Sequence, residues 1–103
     1  MTCLQKVFLE AVRQGDALQL QKLLADRQDK LNLNGYDKEG QTALHRFCSQ
    51  GNLELVKLLV QSGADTGLAN REGWAPVHVA VYGGHKEIAH YLVKVGIHGH
   101  ANG

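Results

Sequence analysis

Six histidines and two cysteines are the side chains in this chain of 103 residues best suited to acid–base, nucleophilic or metal chemistry. His85 and His90 are five positions apart, so they do not share a helix face as a metal-binding pair would. His98 and His100 could chelate a metal weakly, but a flexible tail gives them neither fixed geometry nor further ligands. We therefore expect neither a metal site nor a cofactor.

No sequence pattern supports nucleophilic catalysis. Ser49 and Ser62 lie in no nucleophile-elbow motif, and no glycine-rich phosphate-binding loop is present. Cys48 falls at a small, buried helix position, which indicates a core residue rather than a nucleophile. Cys3 and Cys48 are interpreted as free thiols in a reducing compartment. We therefore expect a nuclear or cytoplasmic protein that is not an enzyme.

The histidines at positions 45 and 78 lie 33 residues apart in matching boxes. The boxes read Thr-Ala-Leu-His over residues 42–45 and Ala-Pro-Val-His over residues 75–78, and the glycines at 40, 51 and 63 recur at 73, 84 and 96. A period of 33 residues with a box of this type resembles the ankyrin repeat family. In that family the histidine ties turn backbone groups together, so the resemblance implies a structural role for His45 and His78.

The repeat pattern predicts an all-α ankyrin-repeat solenoid, with three stacked helix-turn-helix repeats and β-hairpin-like finger loops. We assign residues 1–36 to a degenerate N-terminal capping repeat, 37–69 to a full repeat, 70–98 to a C-terminal repeat and 99–103 to a disordered tail. Apolar periodicity and caps predict six helices: Leu4–Gln14, Ala17–Ala25, Thr42–Gln50, Leu53–Gln61, Pro76–Tyr82 and Lys86–Lys94. Leu18 is counted among the apolar positions of the second helix, with Leu20, Leu23 and Leu24.

The charge and hydropathy of the chain exclude several kinds of partner. The formal net charge is +1 and the lysines and arginines are scattered among acids, so we expect no direct binding of nucleic acid. No apolar run approaches the roughly 18 residues of a membrane span, and the N-terminus has no signal-peptide pattern, so we expect no membrane association. The chain is expected to be a monomer when free.

The two ends of the predicted stack differ in polarity. The first repeat has a polar outer face, whereas the last repeat is apolar on more than one side, with valines at positions 77, 79, 81 and 93. Terminal repeats usually need a polar cap for solubility. Three explanations stay open: a partner stacks on this end, the tail folds back over it, or the chain is part of a longer array.

Five side chains are candidates for contact with a protein partner: Trp74, Val81, Tyr82, Arg46 and Tyr36. Trp74 takes the variable position before the histidine box, where the previous repeat has Gln41. A tryptophan there can bury about 150–250 Å² on a partner, or it can pack on its own finger. Tyr82 aligns with Ser49 on the concave side of the stack, where it fits either a partner contact or a half-buried edge.

Several segments carry a closer resemblance. Residues 40–45, 51–60, 68–71, 73–74 and 83–85 together resemble the Notch-regulated members of the ankyrin repeat family, over about residues 7–92. The resemblance implies a nuclear adaptor that binds the Notch intracellular domain with its DNA-bound transcription factor. Such an adaptor promotes loss of the Notch fragment and so attenuates the signal. By position, the resemblance places Trp74 and Val81 in the partner contact, although the family has Ala at position 81.

An alternative function follows from the block at residues 51–60, which occurs in near form in phosphatase-targeting ankyrin proteins. The chain would then be a scaffold or targeting subunit for another protein partner such as a phosphatase. Docking of the C-terminal end on the Notch complex would distinguish the two. An enzyme would need a pocket of convergent polar groups, which the sequence does not indicate.

Overall fold

The computed structural model describes the backbone of residues 3–102 and the side chains of residues 3–27 and 29–96. Six α-helices make up the fold, and no strand occurs over the described backbone. In chain order they are α1 Cys3–Gln14, α2 Ala17–Arg27, α3 Ala43–Gln50, α4 Leu53–Gln61, α5 Pro76–Tyr82 and α6 Lys86–Asn102. The predicted all-α repeat fold is confirmed.

The start of α3 shows how the histidine box builds a helix. The backbone N–H of His45 donates to Thr42 Oγ1 at 3.4 Å, and the Thr42 N–H donates to His45 Nδ1 at 3.3 Å. This reciprocal capping box satisfies two donors that the first helical turn leaves without partners. The helix ends at Gly51, whose φ of 74° is the left-handed conformation that glycine adopts most readily. The box and the glycine together set the length of α3.

The helices enclose one apolar core, in which the largest fully buried side chains include Phe8, Leu20, Leu44, Phe47 and Leu55. Leu18 is an exception to the predicted apolar face of α2, because its side chain is 65% exposed. Successive residues turn by about 100° in an α-helix, so Leu18 lies roughly 200° around α2 from the buried Leu20. The prediction that Leu18 belongs with the other leucines was therefore wrong.

Two turns form the fingers between helix pairs. The Asp37 N–H donates to the Gln41 carbonyl at 2.9 Å, and the Asn70 N–H donates to the Trp74 carbonyl at the same distance. Each finger is thus closed like a hairpin, but without a strand ladder in the described residues. The fingers are joined by a bond of 2.9 Å from the Arg71 N–H to the Gly40 carbonyl. Neighbouring repeats therefore contact each other through fingers as well as helices.

The C-terminal helix is longer than predicted. The sequence indicated an end at Lys94 and a disordered tail over residues 99–103, whereas α6 continues to Asn102. Glycine costs about 1 kcal/mol in a helix relative to alanine, but it keeps its N–H, so Gly96 does not interrupt the hydrogen-bond ladder. Residue 103 lies outside the described residues. The repeat boundaries at residues 36, 69 and 98 stay predictions.

Candidate partner-binding surface

Trp74 lies at the base of the second finger, two residues before α5. Its N–H donates to Asn70 Oδ1 at 3.0 Å, and its carbonyl accepts from the Asn70 N–H at 2.9 Å. The same carbonyl lies 2.7 Å from His45 Nε2, which carries the proton because Nδ1 accepts from the Thr42 N–H. The indole itself is 38% exposed. A firmly held backbone therefore presents a partly exposed ring.

Tyr82 is the last residue of α5, and its side chain is 82% exposed. Its ring and the Trp74 indole lie 5.2 Å apart between centroids and are inclined at 67°, an edge-to-face pair. The corresponding residues one period earlier, Gln41 and Ser49, are both polar. The structure thus brings together two side chains that the sequence analysis proposed separately.

Val81 precedes Tyr82 on α5 and is 63% exposed. Cys48 takes the same place one period earlier and is fully buried. The difference has a tertiary cause, because α3 packs between α1 and α5, whereas α5 packs against α3 and its own partner α6. No described element covers the outer side of α5 at Val81. The side chain is exposed because no described helix packs over it, and not because its position in the repeat is polar.

His78 shows the same asymmetry in hydrogen bonding. Its Nδ1 accepts from the Ala75 N–H at 3.2 Å, as His45 Nδ1 does from Thr42, but His78 is exposed and its Nε2 has no partner among the described residues. His45 by contrast is fully buried. The two histidines hold equivalent positions in the repeat, so the sequence predicted one structural role for both and did not predict the free Nε2 of His78. We call the surface formed by Trp74, His78, Val81 and Tyr82 the end surface.

Arg46 is held by the first finger. Its Nε donates to Asp37 Oδ2 at 2.7 Å and its Nη2 donates to Glu39 Oε1 at 2.6 Å. Burial disfavours the charged form of Arg46, but the hydrogen bonds that the guanidinium donates to Glu39 and Asp37 outweigh this effect and raise its pKa. Arg46 thus ties helix α3 to the finger, and its predicted contact with a partner stays a prediction.

The Tyr36 side chain forms a hydrogen bond to the neighbouring finger. Its hydroxyl donates to the Ala69 carbonyl at 2.6 Å, and its ring is exposed. The structure therefore does not place Tyr36 or Arg46 on the end surface, whereas Trp74, Val81 and Tyr82 lie there together. Contact of any of these five side chains with a partner remains a prediction.

A groove of about 610 Å³ runs along the concave side between the fingers and helices α3 and α5. Its lining includes Trp74 and Tyr82 together with Arg46 and Glu39. Its walls carry paired charges and amide side chains. Ser49 and His45 also line the groove, but the two nitrogens of His45 are engaged by Thr42 and Trp74, so the imidazole does not act as a base for Ser49. The arrangement suits recognition of a protein surface more than chemical conversion of a small molecule.

The other chemically capable residues have structural surroundings. Burial raises the pKa of the Cys48 thiol to about 12, so the reactive thiolate is suppressed. No group of three His, Cys, Asp or Glu side chains suited to a metal ion occurs in the part of the chain that the structure describes. The side chains of His98 and His100 lie outside that part. None of the described helices is long and apolar enough to span a membrane.

The repeat pattern and fold agree with a family model. The model for ankyrin repeats (three copies) matches residues 8–102. The chain belongs to the ankyrin repeat family. This ankyrin repeat protein is 54% identical over 90 residues to the Notch-regulated ankyrin repeat-containing protein of Xenopus tropicalis. The alignment covers 86% of this chain and 79% of the relative. It is 52% identical over 96 residues to the Danio rerio protein B of that name, covering 90% of this chain and 86% of the relative.

A second group of relatives has a different name. Protein phosphatase 1 regulatory subunit 27 of Mus musculus is 41% identical over 90 residues, which cover 87% of this ankyrin repeat protein and 57% of the subunit. The names of both groups describe regulated or regulatory proteins, which fits a protein without catalytic activity. Ankyrin repeats also imply protein partners, as the sequence analysis expected.

Proposed function

We propose that this ankyrin repeat protein is an adaptor that attenuates Notch signalling in the nucleus. It binds the Notch intracellular domain assembled with its DNA-bound transcription factor, and it promotes loss of the Notch fragment. The names of the most similar relatives support this assignment. The structural observation that supports it best is the end surface, where Trp74 and Val81 are exposed.

The end surface has the chemistry of a binding hot spot. The Trp74 side chain is 38% exposed, so a partner can cover roughly 60–95 Å² of the roughly 150–250 Å² that a tryptophan offers, a gain of about 1.5–2.5 kcal/mol before opposing costs are counted, on the scale of hot-spot residues. Because three hydrogen bonds already hold the Trp74 backbone, little backbone order has to be gained on binding. Val81, which precedes Tyr82 in α5, adds exposed apolar area and leaves no polar group to desolvate.

His78 adds a directional contact to this apolar surface. His45 shows the geometry, since its Nε2 lies 2.7 Å from the Trp74 carbonyl of the next repeat. We expect a partner backbone carbonyl to take the corresponding place against His78 Nε2. Burying that donor without an acceptor would cost about 1–3 kcal/mol, so the contact would select partners that offer a carbonyl there.

The test is binding of the purified chain to the preassembled complex of Notch intracellular domain, transcription factor and DNA. Trp74→Glu places a charge at the centre of the end surface and is expected to weaken binding by about 30-fold or more. Leu18→Glu is the matched control, because Leu18 is as exposed as Val81 but lies on α2 in the first repeat. It is expected to leave the affinity unchanged.

Each outcome of this experiment decides one part of the proposal. If Trp74→Glu abolishes binding and Leu18→Glu retains it, the result supports both the partner and the end surface as the binding site. If both variants still bind, the result supports the partner but shows that the binding site lies elsewhere on the chain. No binding by the folded wild-type chain refutes the Notch assignment. Circular dichroism of all three proteins confirms that they are folded.

Attenuation needs a separate cellular measurement. In cells with active Notch, expression of the wild-type chain is expected to lower the level of the Notch intracellular fragment and the output of a Notch-dependent reporter. Trp74→Glu, expressed at the same level, is expected to leave both unchanged. Equal loss of the fragment with both variants would show that attenuation does not act through the end surface.

A second candidate function is a targeting subunit for a phosphatase, which the 41% identity to protein phosphatase 1 regulatory subunit 27 favours. Because this chain spans only 57% of that relative, the comparison leaves the rest of the subunit without a counterpart. Binding to the purified phosphatase catalytic subunit tests the idea directly. Binding there together with no binding to the Notch complex would establish the phosphatase function instead.

A further inference from the structure

The Trp74 indole has one aromatic ring contact in the described residues. The hydrogen bonds of Trp74 all involve its backbone, and the flanking residues Gly73 and Ala75 are small. The ring contact of the indole is the edge-to-face pair with Tyr82, at 5.2 Å between centroids and 67° between planes. The backbone bonds place the residue, but they do not select its side-chain rotamer.

The Tyr82 side chain adds little to the stability of the fold at this position. Its side chain is 82% exposed, so it adds little to the core, and its hydroxyl has no hydrogen-bond partner among the described residues. One period earlier the corresponding pair, Gln41 and Ser49, is polar. Both positions are aromatic only in the third repeat, where the two side chains touch. An exposed tyrosine whose ring contact is with the exposed tryptophan fits a role that acts through that tryptophan.

We infer that Tyr82 is a positioning residue, which holds the Trp74 indole in the orientation that binds the partner. This inference rests on the proposed function, in which Trp74 is the central contact. Without the Tyr82 ring the indole would populate several rotamers, and only a fraction of molecules would be ready to bind. An edge-to-face pair of this type is expected to change affinity by about two- to tenfold. The hydroxyl is not needed, so phenylalanine is expected to replace tyrosine.

The free chain allows a first test that does not need any partner. Trp74 is the only tryptophan in the sequence, so indole near-UV circular dichroism and fluorescence anisotropy report on this one ring. Tyr82→Ala is expected to weaken the dichroism and lower the anisotropy, whereas Tyr82→Phe is expected to retain both. An unchanged indole signal in folded Tyr82→Ala would overturn the inference.

A double-mutant cycle on the Notch complex is the second test, with Trp74→Ala, Tyr82→Ala and the double variant. If Tyr82 acts through Trp74, Tyr82→Ala weakens binding by about two- to tenfold alone and has no further effect when Trp74 is absent. If the two substitutions weaken binding by independent factors, and these factors multiply in the double variant, then Tyr82 contacts the partner itself and the inference is overturned. Rescue by Tyr82→Phe is expected.

The two tests separate the inference from the proposed function. If the wild-type chain does not bind the Notch complex, the proposed function fails, while the indole signals still show whether Tyr82 orders Trp74. If the chain binds but the cycle is additive, the function stands and the positioning role fails. Urea unfolding of each variant confirms that altered binding does not come from loss of the fold.

Discussion

The buried imidazole of His45 and the backbone carbonyl of Trp74 lie 2.7 Å apart, and this contact joins α3 of one repeat to the finger of the next. The same imidazole caps α3 through Thr42. One side chain therefore connects helix initiation, repeat stacking and the placement of the residue at the centre of the end surface. In the proposed function, this contact links the stability of the fold to partner binding.

The first prediction concerns pH. Burial lowers the pKa of His45 below its ordinary value of 6.5, although the hydrogen bond to Trp74 acts in the opposite direction. The folded chain thus resists protonation, while the unfolded chain accepts a proton below about pH 6.5. The contribution of His45 to the free energy of unfolding is expected to be fully present above that pH, and to be lost as the pH falls toward the folded-state pKa. Urea unfolding between about pH 7.5 and 5 measures this loss.

Direct titration separates His45 from the other histidines. The pKa of His45 is measured by NMR in the folded chain, with His78→Gln simplifying the assignment of signals. A folded-state pKa at or above 6.5 for His45 would contradict the prediction.

The second prediction concerns Gly51, whose φ is 74°. A Cβ at this position would lie only 2.6 Å from Cε1 of His85. Gly51→Ala combines backbone strain with this steric clash, and it is expected to cost about 2–4 kcal/mol of unfolding free energy. Gly84→Ala is the matched control, because Gly84 has a φ of 79° but no neighbouring atom within 4 Å of an added Cβ. It is expected to cost about 1 kcal/mol, and equal costs would exclude the clash with His85.

The third prediction isolates the ion pair between Asp37 and Arg46. Asn70 lies one period after Asp37, and in both residues Oδ1 accepts the N–H groups two and four positions later. Asp37→Asn therefore keeps the finger turn and removes the charge. The variant is expected to lose about 1 kcal/mol at pH 7, and this difference is expected to shrink at high salt.

The pH dependence of this variant gives an independent check. Burial raises the pKa of Asp37, but hydrogen bonds from the Gln41 N–H and from Arg46 outweigh it, so the net pKa lies below the ordinary value of 3.8. The ionised carboxylate stabilises the fold above that pH, and the contribution is lost as the pH falls through the folded-state pKa. Asp37→Asn is expected to show a shallower acid unfolding curve. An acid limb as steep as that of the wild type would count against the prediction.

The fourth prediction concerns Gln5, a buried amide on α1. Its Nε2 donates to the Asn32 carbonyl at 3.0 Å, and its Oε1 accepts from the Asn32 N–H at 2.9 Å. Gln5→Ala leaves both backbone groups without these partners and is expected to cost about 1–3 kcal/mol. Gln14→Ala, on the exposed face of the same helix, is expected to cost less than about 0.5 kcal/mol. Thermal or urea unfolding compares the two, and similar losses would argue against a structural role for Gln5.

The fifth prediction concerns Val81, a position where the resemblance to the Notch-regulated family implies Ala. Because the side chain is 63% exposed, Val81→Ala is expected to change the stability of the free chain by less than about 0.5 kcal/mol. If the larger side chain crowds the partner, the variant binds the Notch complex about two- to tenfold more tightly. Calorimetric titration of both proteins measures the difference. Weaker binding by the variant would mean that Val81 makes a favourable contact.

Local patterns in the sequence determined the class of fold. The period of 33 residues, the histidine box and the glycines predicted the six helices and the repeats, because caps, turns and apolar stripes act within one or two helical turns. The helix end predicted at Lys94 was wrong, because a glycine weakens a helix without stopping it and α6 continues to Asn102. Leu18 was misplaced because a leucine signals burial only when its neighbours on the helix face are buried too.

The sequence also named Trp74, Val81 and Tyr82 as candidates, but it could not show that they lie together. Only the tertiary structure paired the two aromatic rings and separated them from Arg46 and Tyr36, which bond to the fingers. It also distinguished positions that the repeat makes equivalent, since His45 and Cys48 are buried while His78 and Val81 are exposed. The physical reason is that a repeat fixes each side chain's direction, whereas burial depends on whether another element packs against it.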